Sequence, residues 1–376
     1  MSVATVLFLS GGFVLLVVGG EALVRGAGSL ARSIGMSSLV VGLTVVSFAT
    51  SAPELAVSTG AALTGSPGLA VGNVVGSNIA NILLVLGMSA LFVPLLVKSQ
   101  VVRADIPVML GLTVVLLLLV LDGNVGRFDG MLLLTVLLVY VTVTVGMARR
   151  RTSERPRAPV RPEVSRRRSM TRDLGLIVLG IATLVGGAQL LVRGATDVAL
   201  ALGVSELIVG LTVVAIGTSL PELATSIIAV IRGERDLAVG NIVGSNVFNI
   251  GAVLGLTAII APDGIDVAPA AVRFDIPIML AAAVVLLPIA FTGQAVARWE
   301  GALLALLYGG YITFLLLQAT EHAALEPYSA AMLWFVIPIV GVTLLLFAVY
   351  EMGVRRGRRQ ARGSERTHPP DESSGR

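Results

Sequence analysis

The 376-residue chain contains no cysteine, only two histidines and a single lysine, Lys98. Without cysteine there are no disulfides and no thiolate metal sites. His322 and His368 are too far apart to build an H-E-x-x-H zinc helix, and Lys98 lies outside any G-x-x-x-x-G-K-[ST] phosphate loop. These absences argue against an intramembrane metalloenzyme and against an ATP-driven pump contained in this chain. The sequence is read as that of a protein that is not an enzyme and carries no resident cofactor. Charge is scarce too, at 13% of residues, where an average soluble domain carries about a quarter. What remains is 55% hydrophobic with a mean hydropathy of +0.92. Apolar runs of about 20 residues, the length needed to cross a bilayer, recur as far as Tyr350, and no soluble segment of domain size interrupts them.

An internal repeat organises these runs. GLTVVSFATSAPEL (Gly42 to Leu55) returns as GLTVVAIGTSLPEL (Gly210 to Leu223), and VGNVVGSNIANILLVLG (Val71 to Gly87) returns as VGNIVGSNVFNIGAVLG (Val239 to Gly255). Both pairs are offset by 168 residues, as 222 − 54 shows for the two glutamates. RADIP at Arg103 returns as RFDIP at Arg273, two residues further along. The predicted spans are 3–28, 36–63, 69–92, 105–121 and 129–148 in one half, then 173–194, 204–231, 237–260, 274–291 and 299–318 in the other. An unpaired eleventh covers 330–351. The first span lacks a basic leader region and has a repeat partner in mid-chain, so it is read as a span and not as a cleaved signal.

Five spans per half is an odd number, so the second half enters the membrane from the opposite side. The fold class is therefore an all-α integral membrane protein, an inverted repeat of 5+5 transmembrane helices plus one extra C-terminal helix. The organisation expected is a first repeat at 1–148, an Arg-rich linker at 149–172, a second repeat at 173–318, the extra helix at 319–352 and a basic, disordered tail at 353–376. The positive-inside rule places the linker in the cytoplasm, with Arg149, Arg150, Arg151, Arg166, Arg167 and Arg168. The N-terminus then lies outside and the C-terminus inside, in a multi-pass protein of the plasma (inner) membrane. The arginine run is read as a topology signal that meets anionic lipid, and nucleic acid is not expected as a partner.

Within GTSLPEL and its earlier copy, a proline and a glutamate stand side by side in an apolar run. Proline inside a helix removes the bond to the carbonyl four residues back, so Pro53 is expected to free the carbonyl of Ala49, and Pro221 that of Gly217. Broken backbone at membrane depth is tolerated only where it lines a cavity or is buried in protein. Beside the breaks stand Thr50, Ser51 and Glu54, and Thr218, Ser219 and Glu222, all hard oxygen donors. The next span of each half adds a stripe at i, i+4 and i+8: Asn73, Ser77 and Asn81, then Asn241, Ser245 and Asn249. Gly72, Gly76, Gly240 and Gly244 are expected to let helices approach closely. All-oxygen coordination suits Ca²⁺, two glutamates balance one divalent charge, and Na⁺ uses the same oxygens.

The paired G-[TS]-S-x-P-E and G-S-N motifs resemble the α-repeats of the calcium/cation antiporter superfamily, and specifically its sodium/calcium exchanger branch. The resemblance spans both halves and omits the linker, eleventh span and tail. It implies ten core helices with ion sites on the second, third, seventh and eighth. It implies Glu54 and Glu222 as central Ca²⁺ ligands shared with Na⁺, with Thr50, Ser51, Thr218 and Ser219 around them. Ser77 and Ser245 would bind Na⁺, Asn81 and Asn249 would wall the middle site, and Ser47 and Ala215 would offer backbone carbonyls. Ca²⁺ and Na⁺ are thus the expected substrates, exchanged by alternating access. Potassium-dependent relatives carry aspartate where this chain has Asn249, and proton-driven ones an acid in the third-helix motif where it has GSN; both differences lean towards Na⁺ alone. The alternatives are an H⁺/Ca²⁺ antiporter and, from another class, a passive cation channel lined by the same oxygens.

Overall fold

The computed structural model describes residues 2–153, 163–209, 212–213, 215–291, 295–347, 349–350 and 353–354. The first half consists of α1 (Val3–Ile34), α2 (Ser38–Leu63), α3 (Pro67–Phe92), α4 (Val101–Asp122) and α5 (Arg127–Ser153). The second consists of α6 (Glu163–Ala201), α7 in pieces (Glu206–Val209, Ala215–Thr218 and Leu220–Ile231), α8 (Arg235–Ile260), α9 (Ala271–Ile289) and α10 (Arg298–Ala319). An additional α11 follows at Leu325–Phe347. Ten helices among the described residues are long and apolar enough to span a bilayer; α7, whose residues 210, 211 and 214 fall outside the described residues, contributes the shorter apolar helix Leu220–Ile231.

The expected spans are recovered with several shifted ends: α1 runs on to Ile34 past the expected 28, and α11 covers Leu325–Phe347 where 330–351 was expected. α6 begins at Glu163 rather than 173, because no glycine or proline between those positions stops a helix. Residues 154–162, the side chains of Arg166, Arg167 and Arg168, and the tail from Arg355 lie outside the described residues.

Two short antiparallel ribbons tie the halves together. β1 (Leu95–Leu96) follows α3, β2 (Asn124–Val125) precedes α5, β3 (Ile265–Asp266) follows α8, and β4 (Ala295–Val296) precedes α10. β1 pairs with β4, and β2 with β3. The strands of a ribbon must lie at one depth. The end of α3 is therefore level with the start of α10, on the face where the halves join, and the end of α8 lies on the opposite face with the start of α5. Since α3 and α8 are repeat partners, the second half is inverted relative to the first.

α1 and α6 run antiparallel at backbone contact. A Cβ added to Gly12, Gly19 or Gly26 would come within 2.8 Å of a backbone atom of Leu191, Leu184 or Asp173. The heptad of small residues is what permits this approach. Across the site, α2 crosses α8 as tightly: a Cβ at Gly42 would lie 2.6 Å from Leu237 O, and one at Gly240 2.5 Å from Leu39 O. Gly244 is equally closed in, yet nothing lies within 4 Å of a Cβ at Gly72 or Gly76. The expected close approach is thus found at one pair of glycines and corrected at the other, because the halves, though related by sequence, are packed unequally. α3 and α8 are the most deeply buried spans and α11 the least.

Candidate functional site

The two helix breaks fall two residues before the prolines. Ser51 has φ −82° and ψ 0°, and Ser219 has φ −89° and ψ 3°, so each serine is a turn between two half-helices. Pro53 and Pro221 sit in the first turn of the second half-helix, where a missing N–H costs nothing. That corrects the expectation that proline acts from a helix interior. It also explains the neighbouring glutamate, since an acid in the first turn offsets the positive end of the helix dipole. Two further departures from α geometry fall in the next spans: π turns at Asn81–Leu86 and Asn249–Leu254 begin at the repeated asparagines.

α2 and α8 bring the first-half residues against the second-half stripe. Thr50 Oγ1 donates to Asn241 Oδ1 at 3.2 Å and lies 3.3 Å from Ser245 Oγ. Ser47 Oγ donates to Asn241 O at 3.0 Å and to Gly42 O at 2.8 Å. The Ser47 carbonyl accepts the Ser51 N–H at 3.0 Å and lies 3.5 Å from Thr50 Oγ1; in the second half the Ser219 N–H goes to Ile216 O at 3.1 Å. Ala215, for which only the backbone is described, opens the four-residue helix before that turn. Behind the acids, Asn73 Nδ2 donates to Ser58 Oγ at 2.9 Å and to Glu54 O at 3.3 Å. Asn241 Nδ2 donates to Ser226 Oγ at 3.3 Å in the same way. Asn73 and Asn241 therefore brace the site, and Ser58 and Ser226, which the sequence reading passed over, complete the brace.

Glu54 and Glu222 are fully buried, and among the described residues no hydrogen bond reaches their carboxylate oxygens. The same holds for Ser51 Oγ, Ser77 Oγ, Ser219 Oγ, both polar atoms of Asn81 and Oδ1 of Asn249. A buried charge without partners is strongly disfavoured, and two orphaned carboxylates, each three residues from an orphaned serine hydroxyl in sequence, are groups that a cation would satisfy. Thr218 is half-buried and, with Pro53, Gly217 and Pro221, lines a cavity of about 900 Å³ that runs along α6 past Gln189 to Asp197. Asn78 joins the site unforeseen: its Oδ1 accepts from Asn249 Nδ2 at 3.1 Å, and its own Nδ2 donates to Asn246 O at 3.3 Å. The signal was the N of GSN, hidden one residue from the stripe.

These features define a multi-pass membrane protein with two inverted five-helix repeats and an acid pair held between them. Residues 4–146 and 173–317 match the family model described as sodium/calcium exchanger protein, and the chain belongs to that family of antiporters. It is 40% identical over 322 residues to the inner membrane protein YrbG of Escherichia coli, covering 84% of this chain and 96% of the relative. It is 31% identical over 338 residues to the sodium/calcium exchanger MaX1 of Methanosarcina acetivorans, covering 81% and 96%. Among solved structures, it superposes on the sodium-calcium exchanger NCX_Mj soaked with Na⁺ and Sr²⁺ with a TM-score of 0.72 at 31% identity, covering 83% of this chain and 99% of that one.

Proposed function

We propose that the chain exchanges Na⁺ for Ca²⁺ by alternating access, with Glu54 and Glu222 as the ligands common to both ions. The observation that carries this reading is the acid pair itself, two fully buried carboxylates with unpartnered oxygens among unpartnered hydroxyls and amides. Two carboxylates neutralise one Ca²⁺, and Thr50, Ser51, Thr218, Ser219 and Asn81 supply the neutral oxygens that a hard cation takes in numbers of about 6 to 8. Ser77, Ser245 and the backbone of Ser47 and Ala215 hold Na⁺, and Asn249 walls the middle of the site.

Exchange is obligatory because the empty site carries two bare charges. Moving it through a medium of low dielectric is costly, so the conformational change proceeds when Ca²⁺ or Na⁺ has loaded the acids. The tightly packed α1/α6 pair is the element that shifts against the α2/α3/α7/α8 core. If more than two Na⁺ return per Ca²⁺, the cycle moves net charge and responds to voltage, at about 2.3 kcal/mol per charge per 100 mV. The arginine-rich linker face is cytoplasmic, and the inward Na⁺ gradient drives Ca²⁺ out.

The deciding experiment is ⁴⁵Ca²⁺ uptake into proteoliposomes loaded with Na⁺, K⁺ or a pH gradient, for the wild type and Glu54→Gln. Uptake is expected with internal Na⁺ and to vanish in the variant. Uptake driven by the pH gradient would replace Na⁺ with H⁺, and uptake with no counter-ion would mean a channel.

A further inference from the structure

α11 has no counterpart in the first half, and it is seated on the rest of the molecule near its two ends. At its start, a Cβ at Gly310 of α10 would lie 3.1 Å from Met332 Cε and 3.2 Å from the Tyr328 hydroxyl, which donates to Gly310 O at 2.8 Å. Towards its end Leu344 is buried, and the Phe347 ring centre lies 5.1 Å from that of Trp299, at the other end of α10. Between these seats a groove of about 500 Å³ runs between α9, α10 and α11. Gly341 lies in its wall, and nothing comes within 4 Å of a Cβ placed there.

Helix geometry gives the groove its length and depth. α9 starts soon after β3, on the face away from the one where the halves join, and from Arg273 to Val285 it advances about 18 Å. From Tyr328 to Gly341 α11 advances about 20 Å alongside it. The hydrocarbon of a bilayer is about 30 Å thick, so one leaflet is about half of that. The groove therefore spans one leaflet, from the interface to near the midplane. Its walls are apolar, with Pro277, Ile278, Val285, Leu307 and Val340 among them. Its rim opens to the lipid phase, since Ala281, Leu333 and Ile337 are exposed.

The polar side chains along the groove are engaged within the protein, with one exception. Tyr311 donates to Asp275 Oδ1 at 3.2 Å, Tyr328 to Gly310 O at 2.8 Å and Ser329 to Leu325 O at 2.6 Å. Arg273 is exposed at the interfacial end, next to Phe274, whose ring stacks on that of Phe314. Among the described residues no hydrogen bond or ion pair engages its guanidinium. A cation at headgroup level above an apolar channel one leaflet deep is the complement of an anionic phospholipid, whose charge and acyl chain stand in the same order. The feature belongs to the second half alone. Arg103, the counterpart of Arg273, lies on the opposite face in a cavity walled by Lys98 and the turn between α1 and α2, with no residue of α11.

We propose that the groove beside α11 binds one anionic phospholipid of the leaflet away from the joining face, with an acyl chain laid between α9, α10 and α11 and the headgroup phosphate on Arg273. The acyl chain fills the gap that the protein's own side chains leave, so the eleventh helix is fastened to the second repeat through lipid as well as through its two ends. The inference goes beyond cation exchange and does not rest on it.

The test uses the full chain in mild detergent, with Gly341→Phe and Ala281→Phe to fill the groove from its two walls and Arg273→Gln to remove the charge. Native mass spectrometry counts the phospholipid that stays with the purified protein, and phosphatidylglycerol or phosphatidylethanolamine is then titrated into delipidated protein. Expected is one retained phospholipid per wild-type chain, lost in both filled variants. Phosphatidylglycerol is expected to bind more tightly than phosphatidylethanolamine, and Arg273→Gln to weaken it about tenfold or more, the scale of losing a hydrogen bond to a charged group. Equal retention by the wild type and both filled variants would overturn the proposal. So would phosphatidylglycerol binding that Arg273→Gln leaves unchanged, since the lipid contact would then be unselective. A wild-type dimer that the filled variants abolish would also overturn it, by making a second copy of the chain the occupant. These readouts involve no transport, so failure of the exchange reading registers separately, as the absence of gradient-driven Ca²⁺ flux in the wild type.

Discussion

Asn249 Nδ2 donates a hydrogen bond to Asn78 Oδ1 at 3.1 Å, while Asn81, the repeat counterpart of Asn249, has neither its amide nitrogen nor its oxygen engaged by a described residue. The same residue type at the same repeat position is thus a strut in one half and an open polar group in the other. Asn249→Ala leaves Asn78 Oδ1 buried without its donor and is expected to lower stability by about 1–3 kcal/mol. Asn81→Ala breaks no such bond; it is expected to leave the melting temperature in ion-free detergent unchanged while weakening Ca²⁺-dependent uptake. Thermal melts and ⁴⁵Ca²⁺ uptake on the two variants check the contrast, and equal melting losses would refute it.

The acid pair makes a prediction about stability as well as transport. Two buried carboxylates without partners strain the ion-free protein, and an ion that binds the folded state alone stabilises it by about 2.7 kcal/mol at a concentration 100 times its Kd. Titrating Ca²⁺ into the chelator-treated protein is expected to raise the melting temperature steadily. In Glu54→Gln/Glu222→Gln the ion-free melting point should rise and the Ca²⁺ response should be lost. A preserved response would place the ion elsewhere.

The unequal glycines predict opposite outcomes for one substitution at equivalent positions. Gly240→Ala forces a methyl to within 2.5 Å of Leu39 O in the α2/α8 crossing, and overpacking of this kind costs about 1–3 kcal/mol. Gly72→Ala meets nothing within 4 Å and is expected to be neutral or to gain up to about 1 kcal/mol in helix propensity. Melting curves of the pair decide it; similar losses would mean that the two crossings are equally tight.

Much of this was legible before any coordinates. The repeated motifs identified four core helices and their polar residues, since a polar side chain kept in register through two apolar halves has few other reasons to be there. The exact place of each break was not legible, because proline signals a nearby turn but serves equally well in a helix's first turn, and Ser51 and Ser219 look like ordinary donors. The π turns were not legible either, for no composition marks a single inserted residue. Nor was the inequality of Gly72 and Gly240, since repeat sequences imply like partners and only the conformation decides which crossing is closed. The glycines at 12, 19 and 26 and at 180, 187 and 194 stand in plain view, yet their meaning depends on α1 and α6 touching.

Ion pairs on the joining face lead to a fourth expectation. Glu21 of α1 accepts from Arg232, just beyond α7, at 2.6 and 2.8 Å, and from Arg25; Arg32 reaches Glu234 at 3.0 Å. Glu21 therefore links the α1/α6 pair to the core. These groups are partly exposed, with Arg232 at 50% and Arg32 at 68%, so each link contributes at most about 1 kcal/mol. Glu21→Gln is expected to change the exchange rate by no more than about fivefold, with the difference from wild type fading as ionic strength rises. A salt-independent loss of activity would assign Glu21 a different role.

The glycine heptads between α1 and α6 have a mechanical consequence. Backbones seated directly against each other at three levels, Gly12, Gly19 and Gly26, leave no room for one helix to ride over the other. The two behave as a single laminated beam, joined along its length, which rests on the core through Gly20 of α1 against Ala224 and Ile228 of α7, through ionic contacts at one end and along the wall of a cavity at the other. A beam of that kind moves as one piece, so a displacement of one of its ends on one face of the bilayer is carried to the other face.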